Sequence, residues 1–207
     1  MQTDALRLAR VGLMICLAGG TALALAQPPG GSRSDSKDDK KDPQSKFEPK
    51  SGPGIGQKFL ARMEGNWTVE KTFFPRAADA PPAKSKGTCK QEMIQGGRFL
   101  RSDFTFEGTD GPTTGTGVIG YEPGPGLFTS TWFDSRQTKM SIRRATEKFD
   151  GEKIVLLGVA LGEAKDSRKS KTVTTLEDAG KRIVHKQYSI AADGSERIIM
   201  QLEMTKK

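Results

Sequence analysis

Between Asn66 and Lys206 the chain is cut by turn signals into ten short runs, each with the two-residue alternation of a strand. Gly96-Gly97, Asp150-Gly151 and Asp193-Gly194 are dipeptides that supply the positive φ of tight hairpins. Pro75–Pro82, Gly108–Gly111, Pro123–Gly126, Ser135–Gln137, Gly162–Ser167 and Asp178–Gly180 break the remaining runs. The strands expected are Asn66–Phe74, Ser85–Ile94, Arg98–Glu107, Thr113–Tyr121 and Leu127–Asp134. Lys139–Phe149, Lys153–Leu161, Arg168–Glu177, Lys181–Ala191 and Glu196–Lys206 complete the set. Strands joined in sequence by short turns form an antiparallel meander. A meander of this size must close on itself or leave an edge open to aggregation. The fold class expected is all-β, a closed up-and-down barrel of about ten strands.

Alternation assigns faces. Ile198, Met200, Leu202 and Met204 share one face of the last strand, opposite Arg197, Gln201, Glu203 and Thr205. Leu100, Phe104 and Phe106 oppose Arg101, Asp103 and Glu107 in the same way. Val155 to Leu161 is apolar on both faces, which calls for an outer cover from a helix or a second subunit. Ahead of the strands, Ile55, Phe59, Leu60 and Met63 fall at helical spacing and predict one short amphipathic helix. Gly115, Gly117, Gly120 and Gly158 interrupt strands where backbone or side chains must approach closely.

The N-terminal quarter reads differently. Arg7 and Arg10 precede an apolar run, Val11 to Leu25, and Ala24-Leu25-Ala26 offers a small-x-small cleavage site. This is the pattern of a leader over residues 1–26, too short to be a membrane span, and it implies export to a periplasmic or extracellular space. Residues 27–54 carry one large apolar side chain, Phe47, among Pro, Gly, Ser and charged residues, the composition of a disordered tether. Cleavage near Ala26 would remove Cys16 and leave Cys89 without a partner, so the barrel must depend on its core rather than on a disulfide.

Net charge is +8, and the basic residues are scattered. Arg143-Arg144, Arg168-Lys169 and Lys181-Arg182 fall at strand ends or beside turns and read as solvated surface. No aromatic residues are interleaved with them to stack bases, so nucleic acid is excluded as a partner. Weak attraction to anionic envelope polymers is compatible with this charge.

Gly65-Asn66-Trp67 at the head of the first strand resembles the G-x-W opening of lipocalin-like barrels. Gln91-Glu92-Met93-Ile94-Gln95-Gly96-Gly97-Arg98-Phe99-Leu100-Arg101-Ser102, Gly120-Tyr121 and Ser130-Thr131-Trp132-Phe133-Asp134-Ser135 extend the likeness. Together they resemble the exported domains of the DUF1579 family, over Ile55 to Lys207. The resemblance implies a lipocalin-like (calycin) barrel with Trp67 as a buried closure residue, and it implies no activity. Barrels of this kind stack a late arginine on the opening tryptophan. Here Lys206 and Lys207 stand at that place, without a planar guanidinium.

Five residues are candidates for a ligand site. Trp132 and Asp134 share a face with Phe128 and Ser130, an aromatic wall beside a carboxylate that would point toward Met200 and Leu202. Asp134 could instead cap the turn that follows it. Arg101 could grip an anionic head, or pair with Asp103 on the surface. Tyr121 is a further pocket candidate. His185 lies on a face with Ile183, Gln187 and Ser189, and it raises haem ligation or a Cys89–His185 nucleophile pair as alternatives. One histidine and one cysteine are too few for a tetrahedral metal site, and no cofactor is expected. The leading expectation is an exported barrel that binds a small, largely apolar ligand. A self-filled barrel engaged in envelope interactions is second, and a haem protein or enzyme using His185 is third.

Overall fold

The computed structural model describes residues 52–77, 79–159 and 169–207. The leader and nearly all of the tether lie outside the described residues, as do the Gly162–Ser167 turn and the end of the strand expected to reach Leu161. The described elements are one helix, α1 (Ile55–Ala61), and ten strands. These are β1 (Gly65–Phe73), β2 (Ala83–Ile94), β3 (Phe99–Phe106), β4 (Thr113–Glu122) and β5 (Leu127–Asp134). They continue with β6 (Ser141–Arg144), β7 (Lys153–Gly158), β8 (Lys169–Glu177), β9 (Arg182–Ile190) and β10 (Glu196–Lys206). Each strand pairs antiparallel with its neighbours in sequence, and β1 pairs with β10 to close the ring. The expected meander is closed, and no edge remains among these strands.

Closure divides the strands into an inner and an outer set of side chains. On β3 the alternation is complete: Leu100, Ser102, Phe104 and Phe106 are buried inside. Arg101 and Asp103 face outward, joined Nε to Oδ2 at 2.9 Å. β10 departs from the expected pattern. A bulge between Ile198 and Met200 inserts Ile199, so Met200 pairs with inward Gln187 while Ile198 pairs with outward Tyr188. Met200, Leu202 and Met204 therefore keep the inner face and Ile198 leaves it.

Two other expectations are corrected. The strand expected over Lys139–Phe149 is only β6, because the chain turns in after Ala145 and drives Phe149 into an aromatic cluster. Phe149 meets Phe59 and Phe128, each at 5.0 Å between centroids, and burying it there outweighs a longer ladder. No helix covers β7. Helix α1 packs on β2, β3 and β4 instead, and Val155 stays exposed on the outer wall.

What α1 covers is one end of the barrel. Phe59, Leu60 and Met63 insert there, whereas Ile55 stays exposed outside the seal. The buried Gln57 side chain fixes the helix start: its Nε2 donates to the Tyr121 carbonyl at 2.7 Å and its Oε1 accepts from the Gly54 amide at 2.7 Å. Gly56 lies against the Tyr121 ring, where a Cβ would stand 2.2 Å from Cγ, so only glycine lets the helix sit this close. Beneath it Trp67 is fully buried, and its indole N–H donates to the Met63 carbonyl at 3.1 Å. Lys206 does take the place of the expected arginine, with Nζ 5.4 Å from the centre of the indole. The ammonium holds its position by cation–π attraction instead of planar stacking.

Candidate functional site

With one end sealed, the interior opens at the other, where β1, β3, β5, β7 and β9 end and β2, β4, β6, β8 and β10 begin. A cavity of about 340 Å³ runs from that mouth toward α1. This lies at the small end of the range for ligand pockets, about 300–1,000 Å³. Phe104, Trp132, Leu156, Met200 and Leu202 are among its apolar walls. The mouth carries Lys71, Asp134 and Arg136.

Trp132 and Asp134 face inward together, as the alternation of β5 predicts. The indole N–H donates to Asp134 Oδ2 at 3.0 Å, and the Arg136 amide donates to Oδ1 at 2.9 Å. Asp134 thus does both things the sequence allowed: it caps the turn and orients an aromatic wall. Burial acts to raise its pKa, but the Trp132 and Arg136 N–H groups and the Arg136 charge outweigh burial and hold the carboxyl below its usual range. Room for the indole comes from β4. A Cβ on Gly115 would lie 2.4 Å from Trp132 Cζ2, so this glycine lets the ring lie flat along the wall and meet Phe104 edge-on at 5.6 Å. Lys71 stands at the mouth with Nζ 4.0 Å from the Phe106 ring centre, its pKa lowered by burial and by Arg136.

His185 lines the cavity with Ile183 and Gln187. The ring is half-buried in the cavity wall, and Thr174 Oγ1 lies 2.8 Å from Nδ1. Burial, with a smaller contribution from the Arg143 charge, lowers its pKa to about 4, so the imidazole is neutral at ordinary pH. Among the described residues, no group of three or more His, Cys, Asp or Glu side chains could hold a metal ion. Cys89 is buried in the wall between Trp67 and Phe104, and burial first and the Asp103 charge second push its thiol pKa far up. A protonated, enclosed thiol is no nucleophile.

Two candidates are placed elsewhere. Arg101 lies on the outer face between Asp103 and Glu92, because it alternates with the inward Leu100 and Ser102. Tyr121 packs into the seal, with its ring centre 4.9 Å from that of Phe128, and does not line the cavity. Beyond Lys71 and Arg136 at the mouth, a further cationic residue lines the cavity: Arg143, which reads in sequence as solvated surface. Ser130 and Trp132 point inward, and Arg143 sits directly opposite Ser130 in the β5–β6 register. Pairing, not composition, was the signal that could have found it.

The chain matches the family described as "Protein of unknown function (DUF1579)" over residues 52–206. It belongs to the DUF1579 family. The DUF1579 chain is similar to solved structures at low identity. Rv2717c from M. tuberculosis is 14% identical, with a TM-score of 0.53, covering 75% of this chain and 99% of that one. The S-type phycobiliprotein lyase CPES from Guillardia theta is 11% identical, with a TM-score of 0.49, covering 79% of this chain and 97% of the lyase. No curated protein matches the DUF1579 chain. At this identity, the likeness to Rv2717c establishes the barrel architecture alone. Among the described residues, no helix is long and apolar enough to cross a membrane.

Proposed function

We propose that this DUF1579 chain is an exported binding protein that holds one small, largely apolar molecule inside its barrel. The observation that carries the reading is the cavity itself: about 340 Å³, sealed by α1 at one end and open at the other. Its walls are aromatic, aliphatic and thioether groups with a few placed polar atoms, the composition of a ligand pocket. Phe73 at the end of β1, Met140 just before β6 and Val159 just after β7 are exposed at the mouth, an apolar rim suited to passing an apolar body inward. The Trp132–Asp134 hydrogen bond fixes one wall in advance, which lowers the ordering cost of binding. Export is inferred from the apolar run Val11–Leu25 and the Ala24-Leu25-Ala26 site.

Fluorescence provides the test. Trp132 and Trp67 are the only tryptophans, one in the cavity wall and one in the seal. Titrating 1-octanol into the full chain should give a saturable change in emission that Trp132→Phe removes. A signal that never saturates, or one that survives Trp132→Phe undiminished, contradicts the reading. It would favour a barrel filled by its own side chains and engaged through its outer surface.

A further inference from the structure

The middle of the cavity holds a positive charge that nothing in the described chain answers. Arg143 points inward from β6, opposite Ser130 on one side and Gly158 on the other. Its Nε is out of contact with solvent and makes no hydrogen bond, and among the described residues Arg143 has no ion pair. Away from the mouth the other polar side chains that line the cavity are neutral, among them Ser130 opposite Arg143, Thr172, Thr174, Gln187 and the uncharged His185. Asp134, the carboxylate at the mouth, is already bound to the Trp132 indole and the Arg136 amide. A guanidinium partly withdrawn from water and without a counter-ion is costly, and an arginine stays charged under these conditions. Such a group is retained at least cost where an anion from outside completes it.

We infer that the ligand is an organic anion, a carboxylate on a short apolar body, whose head is bound by Arg143 while its body lies against Phe104, Trp132, Met200 and Leu202. The inference rests on the binding reading above and narrows it to a chemical class. A carboxylate can take two parallel N–H donors from a guanidinium, which would satisfy the orphaned Nε and a terminal nitrogen together. Lys71 and Arg136 outnumber Asp134 at the mouth, a balance that attracts an entering anion and disfavours a cation. Across the barrel, Gln91 donates its amide to Ser102 at 3.0 Å and leaves its Oε1 unpaired, so a second polar atom awaits a donor from the ligand or from a water beside it.

Octanoate, 1-octanol and octylamine share one apolar body and differ in head charge, and calorimetric titration of the full chain ranks them. Octanoate should bind most tightly, and Arg143→Gln should weaken it by at least about tenfold, the usual scale of a charge-assisted pair, and weaken octanol by less. Arg143→Lys should keep part of the preference, and Arg101→Gln on the outer face should keep all of it. Octanol binding as tightly as octanoate to the unaltered chain would overturn the anion inference and leave the binding reading standing. A preference for octylamine, or octanoate affinity unmoved by Arg143→Gln, would overturn it as well. Failure of all three to bind would defeat the binding reading and this inference with it. The ranking on the unaltered chain decides even if a variant folds poorly.

Discussion

Replacing Trp67 with alanine should destabilise the barrel by about 3–5 kcal/mol, the range for deleting a large aromatic side chain from a packed core. The indole is fully buried, donates its N–H to Met63 and carries the Lys206 ammonium over its face. Alanine would remove all three contacts at once. It would also leave the Met63 carbonyl without its donor and open a void beneath α1, at the point where Phe59, Leu60 and Met63 seal the end. Helix α1 is only seven residues long and holds its place by packing rather than by propensity. The loss should therefore appear as a lower urea midpoint together with early exposure of α1 to hydrogen exchange. A cost below about 1 kcal/mol would be ordinary for a surface position and would contradict the seal.

Acid should weaken the fold before its carboxylates titrate. His185 has a folded pKa of about 4 against an ordinary value of 6.5, so the unfolded chain takes up a proton that the folded chain refuses. Stability is therefore level above about pH 6.5 and falls as pH drops toward about 4. A shift of this size removes about 2 kcal/mol by pH 5 and roughly 3 kcal/mol in full. Glu203, Asp134 and Asp150 have lowered pKa values, so their losses come below the ordinary carboxylate range. His185→Gln keeps a polar side chain beside Thr174 and abolishes the histidine's share. Urea titrations at pH 7.5 and pH 5 should show the unaltered chain losing about 2 kcal/mol more than the variant between the two. Parallel losses would mean that His185 titrates alike in the folded and unfolded chain and would contradict its lowered pKa.

The sequence spoke clearly wherever one face of a strand had a single kind of neighbour. β5 and β10 run between the residues that alternation and turn chemistry predict, Leu127–Asp134 and Glu196–Lys206. Trp132 and Asp134 enter the cavity for the same reason. Arg101 could have been assigned correctly from its own strand, since Leu100, Phe104 and Phe106 claim the inner face and leave it outside. Arg143 could not. In Ser141-Ile142-Arg143-Arg144 the apolar Ile142 suggests the reverse assignment, and only the pairing with Thr131 and Ser130 turns Ile142 out and Arg143 in. Long-range register was likewise required to see that Ile199 bulges, and tertiary packing to see that Phe149 abandons β6 for the aromatic seal. A charge inside a barrel contradicts the local rule that charges face water. Such exceptions concentrate where a protein meets a ligand.

Occupancy is the point on which the account turns. Native mass spectrometry of the protein purified from its own host weighs the chain together with whatever the barrel retains. The account predicts one small molecule per chain, released on collisional activation as an anion and retained less in Arg143→Gln than in the unaltered protein. A chain that always flies bare, and stays bare after incubation with octanoate, would contradict the claim that this cavity is a binding site.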